Sequence, residues 1–417
     1  MGRRRSRRGG IALAPQEGPG GRWEALGIGA AYVGTVVGAG FASGQEVARF
    51  FTHFGRWGLA GLGVATALFV LFGIQILGIA SRERARSHLQ VVWAAAGPWL
   101  GGGVDAVITF FFFAATAVMF AGAGAVFAEQ LQLPRLLGSL LMAVLAAATV
   151  LSGLRGVVRS IAFVAPVLLV SVLAVSGASL WHFGLPARNL DWFRPDQAAA
   201  GHWAVSALLY ASYNLVLAVG VLAPLGGSQG HGPTLALGGL LGGLALGAAA
   251  LAIDLGLLAG LPETAAYEVP MLYLTRLWPP ALQVFYSLIL WAEVYTTAVG
   301  NLYGLAVRTV GPEPARFRPF VLGATLAAFL ASLAGFGRLV RFLYPAVGYA
   351  GLAFLGALTW QWVRRRAGGP GAGAPPRTDR AQPALPAAPV EAVWVPEPAE
   401  APEEGVPEAG EEPLGLG

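Results

Sequence analysis

Residues 34–46 read GTVVGAGFASGQE and lie inside a hydrophobic stretch that runs from about residue 25 to residue 54. As one straight helix this stretch would extend ~45 Å, whereas the hydrocarbon core of a bilayer is ~30 Å thick. Four glycines and a Ser-Gly-Gln-Glu cluster fall near its middle. Glycine is about 1 kcal/mol less favourable than alanine inside a helix, and a charged group at bilayer depth costs about 2.5 kcal/mol or more. The stretch therefore predicts a first membrane span that is interrupted near Gly38–Gly44.

Unwound backbone at membrane depth needs surrounding protein or a water-filled cavity to satisfy its N–H and C=O groups. In many secondary transporters, a broken helix of this kind contributes to the site that binds solute and ions. We therefore expect the break to line a binding site. The residues expected to contact the solute there are Gly38, Ala39, Gly40, Ser43, Gly44 and Gln45.

The composition limits the class of protein. Hydrophobic residues make up 56% of the chain and charged residues only 12%, against about 25% charged residues in soluble domains. Several runs of eighteen or more apolar residues predict an all-α, polytopic membrane protein. The chain has no Cys, and its five His are scattered without metal-ligand spacing, so we predict no metal site and no enzymatic activity.

Hydrophobic runs between polar breaks predict about ten transmembrane helices. They lie near 25–54, 57–80, 103–127, 136–151, 160–181, 202–224, 235–260, 281–309, 319–335 and 339–362. A long external loop over 261–280 is expected to carry a short helix from Ala265 to Leu277.

Arginine clusters predict the orientation. Alternating the spans from a cytoplasmic N-terminus places the Arg-rich segments 81–88, 152–159 and 308–318, together with Arg364–Arg366, on the cytoplasmic side. This positive-inside pattern predicts a multi-pass protein of the cytoplasmic membrane with both termini inside. It also explains the net charge of +5 without a nucleic-acid partner.

The chain divides into three predicted parts. Residues 1–21 and 365–417 hold few large apolar side chains and are predicted to be disordered cytoplasmic tails, which leaves residues 22–364 as the transmembrane domain. Its two halves, 22–181 and 201–364, hold five spans each. Because an odd number of spans reverses the direction of entry, the second half should be an inverted repeat of the first.

If the halves correspond, the sixth span should be broken like the first. Its middle reads YASYN, which is polar where a lipid-facing helix would be apolar, and we expect a break near Tyr213–Leu215. The residues that this break would bring to the solute are Tyr210, Ser212, Tyr213 and Asn214.

The eighth span carries a polar stripe, formed by Glu293, Thr296, Thr297 and Asn301 together with glycines at 300 and 304. Spacings of three and four place these residues on one helical face. The stripe has two interpretations: hydrogen bonds between helices, or a site for ion coupling. Hydroxyls and freed carbonyls suit Na⁺, whereas Glu293 would carry a proton. A bound Na⁺ is the only possible cofactor.

Glu46 and Asp254 also lie at membrane depth. Arg49 follows Glu46 by three residues, so an ion pair at a gate and a role in coupling are equally supported for Glu46. Asp254 has no partner nearby in sequence, and it is either a functional acid or a structural hydrogen-bond partner. No Arg falls within the predicted site, which favours a neutral or zwitterionic ligand whose carboxylate meets free backbone N–H groups.

The stretch VGAGFASGQE, from Val37 to Glu46, and the phenylalanines and glycine that follow it resemble the signature of the YkvI family of bacterial membrane proteins. The segments Tyr210–Asn214 and Tyr295–Asn301 agree with that resemblance, which covers residue 22 to about residue 364. The family is placed among relatives of the amino acid–polyamine–organocation transporters. Their five-plus-five inverted-repeat fold, with helices 1 and 6 broken, is often called LeuT-like.

The resemblance implies a secondary active transporter, a symporter of a small polar solute such as a neutral or zwitterionic amino acid or related amine, coupled to Na⁺ or H⁺. In the wider fold, the breaks in spans one and six form the solute site, and a Na⁺ site lies between spans one and eight. By position these are Gly38–Gln45, Tyr210–Asn214, and Thr296 with Thr297.

Two other functions remain open from the sequence. A membrane sensor would keep a transporter-like pocket without turnover, as in germinant-receptor subunits of a related fold. A channel or a purely structural membrane protein is the third class. A sensor would bind its ligand without flux, whereas a transporter would accumulate it.

Overall fold

The computed structural model describes residues 19–152, 157–228, 232–311 and 314–367. The predicted tails lie almost entirely outside these residues. The described residues form helices, with no strand among them. The first half contains α1 Pro19–Val36, α2 Ala39–Ala42, α3 Gln45–Phe50, α4 Arg56–Glu83, α5 His88–Gln130, α6 Arg135–Ser152 and α7 Val157–Phe183. The second half contains α8 Trp203–Ser228, α9 Gly232–Ala259, α10 Pro270–Leu274, α11 Pro280–Val310, α12 Pro314–Ser332 and α13 Phe336–Ala367.

Within the described ranges, eight helices are long and apolar enough to cross a membrane. They are α4, α6, α8, α9 and α11, the parts Gly101–Gln130 of α5 and Pro166–Phe183 of α7, and α13 up to Arg364. The other two predicted spans are the broken unit α1–α3 and helix α12. Two arginines, Arg316 and Arg318, lower the mean hydropathy of the 19-residue α12. The predicted polytopic, all-α architecture is confirmed.

The helices of the two halves correspond in chain order, and their packing follows this correspondence. The unit α1–α3 matches α8, α4 matches α9, α5 matches α11, α6 matches α12, and α7 matches α13. Helix α4 packs on α8, and in the matching pair α9 packs on α1. Likewise α5 packs on α12 and α13, while α11 packs on α6 and α7. The matched helices α4 and α9 contact each other, as do α5 and α11. This is the arrangement of a five-plus-five repeat.

The first span is broken, as predicted, and it is broken twice. Gly38 is extended (φ −124°, ψ −174°) and separates α1 from the single turn α2, while Gly44 separates α2 from α3. Gly44 has φ +78°, a left-handed conformation that favours glycine, and a Cβ on it would lie 2.9 Å from the side chain of Met271. The glycines thus supply both the conformation and the space that the break requires.

Protein groups satisfy the carbonyls that the break releases. The Ser43 hydroxyl donates to the Gly40 oxygen (2.8 Å), and the Met271 N–H donates to the Ser43 oxygen (3.1 Å). The Tyr286 hydroxyl of α11 donates to the Ala42 oxygen (2.7 Å). Irregular backbone at this depth is stable because these partners replace water.

The predicted break near Tyr213–Leu215 in the sixth span is wrong, because α8 is one continuous helix from Trp203 to Ser228. Its polar side chains have partners that leave the helical backbone intact. The Ser212 hydroxyl donates to the Gly348 oxygen of α13 (2.8 Å), and the Asn214 amide donates to the Tyr210 oxygen one turn earlier (3.0 Å). No glycine lies between Trp203 and Val219, so nothing lowers the cost of leaving the helical conformation.

The loop that was predicted over residues 261–280 packs onto the broken helix. The helix expected from Ala265 to Leu277 is divided into a turn at Glu263–Ala266, helix α10, and a turn at Thr275–Leu277. The Glu129 carboxylate at the end of α5 accepts the N–H groups of Glu268 (2.7 Å) and Val269 (3.0 Å). The loop is thereby held against α5 while Met271 reaches the break.

Candidate functional site

A cavity of about 420 Å³ lies at the first break, between α2, α5, α8 and α11. It contains many of the residues expected from the sequence. Those that line it are Gly38, Ala39, Gly40, Tyr213, Asn214, Thr297 and Asn301. Three segments far apart in sequence therefore meet at one point, where the helix is unwound.

The remaining residues predicted at the first break stand behind the cavity wall. The Ser43 side chain bonds to Gly40, and Gly44 packs against Met271. Gln45 lies beside Arg49, on the side of α3 that faces α13.

Two residues predicted on α8 also lie outside the cavity lining. Ser212 faces α13 through its bond to Gly348. The Tyr210 ring packs between Phe51 (centroids 4.8 Å apart) and Phe69 (5.8 Å), and its buried hydroxyl has no hydrogen-bond partner among the described residues. Tyr210 belongs to the packed aromatic layer behind the site.

The polar residues of α11 fall into two groups, one that lines the cavity and one that does not. Thr297, Asn301 and Arg308 line the cavity, at spacings of four and seven residues. A Cβ on Gly38 would lie 4.0 Å from the Thr297 hydroxyl, so this hydroxyl stands opposite the break. Glu293 and Thr296 are buried outside the cavity lining. The Thr296 hydroxyl donates to the Glu293 backbone oxygen (3.1 Å), and one Glu293 carboxylate oxygen has no partner among the described residues.

Sequence reasoning did not include Glu46 among the site residues, yet its side chain lines the cavity and is only 6% exposed. Its carboxylate accepts a hydrogen bond from the Tyr213 hydroxyl of α8. Arg49, the partner suggested by the sequence, instead donates to the Gln197 backbone oxygen (2.7 Å). The available signal was that Glu46 falls within the hydrophobic stretch 25–54, where a charged side chain needs a partner or a cavity.

The cavity also has a basic end, which corrects the expectation that no Arg lies within the site. Helix α11 continues to Val310, so Arg308 stays on its cavity face rather than in the following loop. Its guanidinium pairs with Asp105 and donates to the Thr109 hydroxyl (3.2 Å), with His88 Nε2 also 3.2 Å away. Asp105 compensates the charge of Arg308.

The cavity is closed on the side of α3. The loop before α8 covers this end through bonds from the Ala199 N–H to the Arg49 oxygen (2.8 Å) and from the Arg194 N–H to the His53 oxygen (2.7 Å). Beneath the loop, Phe50 packs on Tyr213 with ring centroids 5.6 Å apart. At the opposite end, the lining residues Thr35, Gly220 and Arg308 are partly or fully exposed. The site is therefore accessible from one side of the bundle.

The groups around the cavity offer oxygen ligands. No cluster of three or more His, Cys, Asp or Glu side chains that would hold a metal occurs within the described residues. A monovalent cation would instead meet hydroxyls and backbone carbonyls, and Thr297 presents the hydroxyl that faces the break.

No family model matches the chain. It is 33% identical over 336 residues to the membrane protein YkvI of Bacillus subtilis (strain 168). The aligned residues cover 80% of this chain and 95% of YkvI. The chain belongs to the YkvI family. The protein YyaD of the same organism is 26% identical over 327 residues, covering 78% of this chain and 92% of YyaD.

Solved structures agree with the helix arrangement of this YkvI-family chain. MhsT in complex with L-phenylalanine superposes with a TM-score of 0.55 at 17% identity, covering 81% of this chain and 89% of MhsT. Inward-facing Mhp1 gives 0.51 at 14% identity, with coverage of 82% and 77%. A manganese transporter of Eremococcus coleocola gives 0.51 at 14% identity, with coverage of 84% and 81%. The predicted LeuT-like fold is thereby confirmed.

Proposed function

We propose that this chain is a secondary active transporter that moves a small polar solute across the bacterial cytoplasmic membrane by alternating access. The observation that carries the proposal is the cavity of about 420 Å³ at the unwound first helix. Small-molecule sites measure about 300–1,000 Å³ and combine apolar walls with a few polar groups. A neutral or zwitterionic amino acid, or a related amine, fits a cavity of this size.

The shape of the cavity supports alternating access. It is closed at the end covered by the loop before α8 and accessible at the end that holds Arg308. With both termini inside the cell, the accessible end faces the cytoplasm. A transporter with this structure would be inward-facing, and transport requires a second state in which the closed end opens.

The site residues take two proposed roles. The solute lies against Gly38, Ala39 and Gly40, with Tyr213 and Asn214 completing the pocket. Coupling to Na⁺ or H⁺ involves the adjacent face of α11. Thr297 and Asn301 line the cavity there, while Thr296 and Glu293 are buried beside it.

The test is uptake by purified protein in proteoliposomes. Labelled amino acids and amines are presented with an inward Na⁺ gradient, with a proton gradient, or with neither, and accumulation above equilibrium in one gradient is expected. Asn214→Leu, which replaces a polar lining group with an apolar one, is expected to abolish uptake, whereas Thr309→Ala, on α11 outside the cavity, is expected to retain it. Ligand-dependent stabilisation without flux under any gradient would contradict transport and favour a sensor.

A further inference from the structure

Glu46 is the acidic residue that lines the cavity in the described part of the chain, and no ion pair to it occurs there. The titratable groups that face it from neighbouring helices are tyrosines: Tyr210 and Tyr213 of α8 and Tyr344 of α13. The nearby Arg49 bonds to the covering loop instead. Among the described residues, the Glu46 carboxylate has one hydrogen-bond donor and no cation within ion-pair distance, since Arg308 at the other end of the cavity pairs with Asp105.

A buried charge without an opposite charge is costly, and a well-placed cation offsets that cost. The position of Glu46 beside the cavity allows a bound solute to supply the cation. Because Glu46 stands at the solute pocket, this inference rests on the proposed function and deepens it.

Three aromatic rings surround the same part of the cavity. Phe111, Tyr213 and Tyr344 all line it, with ring centroids 5.1 Å apart for Tyr213 and Tyr344 and 5.7 Å apart for Phe111 and Tyr344. Aromatic faces attract ammonium groups, and clusters of rings recognise them in known binding sites. The rings and the carboxylate independently indicate the same ligand chemistry.

Gly40 allows the carboxylate to reach this position. A Cβ on Gly40 would collide with Glu46, coming within 2.9 Å of its carboxyl carbon. The Glu46 side chain therefore folds back over the break through space that only glycine leaves free. Gly40 is a positioning residue for Glu46 in addition to a cavity-lining residue.

We propose that Glu46 and the rings of Phe111, Tyr213 and Tyr344 bind the ammonium group of the solute, with Gly40 positioning the carboxylate. The solutes of this protein are then compounds that carry a protonated amine, and their deaminated counterparts do not bind.

The experiment measures thermal stabilisation of the purified full-length protein by matched compounds. Each L-amino acid is tested beside its decarboxylated amine and its deaminated acid; L-leucine, 3-methylbutylamine and 4-methylpentanoate form one such set. We expect stabilisation by amine-bearing members and none by deaminated acids. Glu46→Gln should raise the concentration for half-maximal stabilisation at least about tenfold, since it removes one member of a buried charge pair.

Further variants separate recognition from general folding. Gly40→Ala should weaken amine binding as Glu46→Gln does, with no further loss in the double variant. Glu46→Asp, which keeps the charge, should retain the preference for amines. Gly34→Ala is the control, because a Cβ there meets nothing within 4 Å. If Glu46→Gln does not purify as folded protein, Tyr344→Leu tests the rings: it should weaken stabilisation by amines, whereas the control Gly34→Ala should not.

The inference is overturned if deaminated acids stabilise the protein as well as amines do, or if the amine affinity is unchanged in Glu46→Gln and Gly40→Ala. A panel in which no amine stabilises the protein also overturns it. Uptake of the best stabiliser in proteoliposomes separates this result from the proposed function. Amine binding through Glu46 without flux supports the inference and contradicts transport. Flux that is undiminished in Glu46→Gln supports transport and contradicts the inference.

Discussion

The Tyr213 hydroxyl donates a hydrogen bond to the Glu46 carboxylate, and this bond joins α8 to the broken first helix across the cavity. Both side chains are buried, and both line the cavity. The bond therefore links the two matching elements of the inverted repeat at the point where a solute would lie.

Tyr213→Phe tests this link. The substitution keeps the ring and leaves a buried carboxylate without its donor, a change that costs about 1–3 kcal/mol. We expect a lower unfolding temperature for the ligand-free protein in detergent. Tyr349→Phe on the 55%-exposed Tyr349 is the matched control and should be neutral. Equal stability of Tyr213→Phe and wild type would show that the hydrogen bond contributes nothing.

The second prediction concerns the backbone at the break. Gly44→Ala forces a side chain into a left-handed conformation and brings its Cβ to 2.9 Å from Met271, so we expect a loss of about 1–3 kcal/mol in stability. Gly63→Ala in α4 is the control, because a Cβ there meets nothing within 4 Å and helical Gly→Ala is favourable. Thermal unfolding of both variants measures the difference. An unfolding temperature for Gly44→Ala at or above that of wild type would contradict the strained conformation.

The first break could be predicted because its cause is local. The glycines of residues 34–46 carry the conformation themselves, and Gly44 has the positive φ that a helix cannot contain. The middle of α8 is equally polar in sequence, yet its helix is continuous. Its Ser212 is satisfied by Gly348, a residue 136 positions away, and such a partner is invisible in local sequence.

The position of Glu46 in the cavity lining was missed for the same physical reason. The nearest opposite charge in sequence is Arg49, three residues along the helix, so an ion pair and a role in coupling were equally supported for Glu46. In the structure, Arg49 donates to the backbone oxygen of Gln197, 148 positions away, and Glu46 accepts from Tyr213, 167 positions away. Spacing along one helix indicates which side chains share a face, but distant segments decide which of them find partners.

The third prediction concerns orientation and uses the absence of Cys from the chain. With both termini inside the cell, Arg84→Cys and Arg316→Cys should resist a membrane-impermeant maleimide added to intact cells, whereas Asp191→Cys should react. All three positions are exposed. Permeabilised cells provide the control, since all three should then react. Labelling at positions 84 and 316 but not at 191 in intact cells would show that the orientation is the opposite of the predicted one.

The fourth prediction concerns the basic end of the cavity. Arg308 pairs with Asp105, and the two side chains are 20% and 36% exposed. Asp105→Asn leaves the guanidinium without its opposite charge beside the cavity, so we expect a loss of about 1 kcal/mol in stability, as for a partly solvated ion pair. The reversed pair, Asp105→Arg with Arg308→Asp, should recover part of the loss. Thermal unfolding at low and high salt measures the effect, and equal stability of Asp105→Asn and wild type at low salt would contradict it.

The last prediction concerns coupling. The Thr297 hydroxyl faces the break, where a Cβ on Gly38 would lie 4.0 Å away, whereas the Thr296 hydroxyl is already bonded to the Glu293 backbone. A hydroxyl beside unwound carbonyls is an oxygen-rich, weakly charged environment that suits a monovalent cation. We therefore expect Na⁺ to increase ligand-dependent stabilisation over choline. Thr297→Ala should abolish that increase, and Glu293→Gln should retain it.

Proton coupling would give the opposite result. The buried Glu293 would exchange the proton, so Glu293→Gln would flatten the pH dependence of uptake and replacing Na⁺ by choline would have no effect. Thr309→Ala is the control for both mechanisms, because its hydroxyl bonds to the Leu305 oxygen (2.8 Å) on the same helix and does not line the cavity. A Na⁺ response that survives in Thr297→Ala would place the cation elsewhere. A wild-type protein that responds to neither ion would contradict coupling altogether, since a coupled transporter must bind its ion and its solute with reciprocal effect.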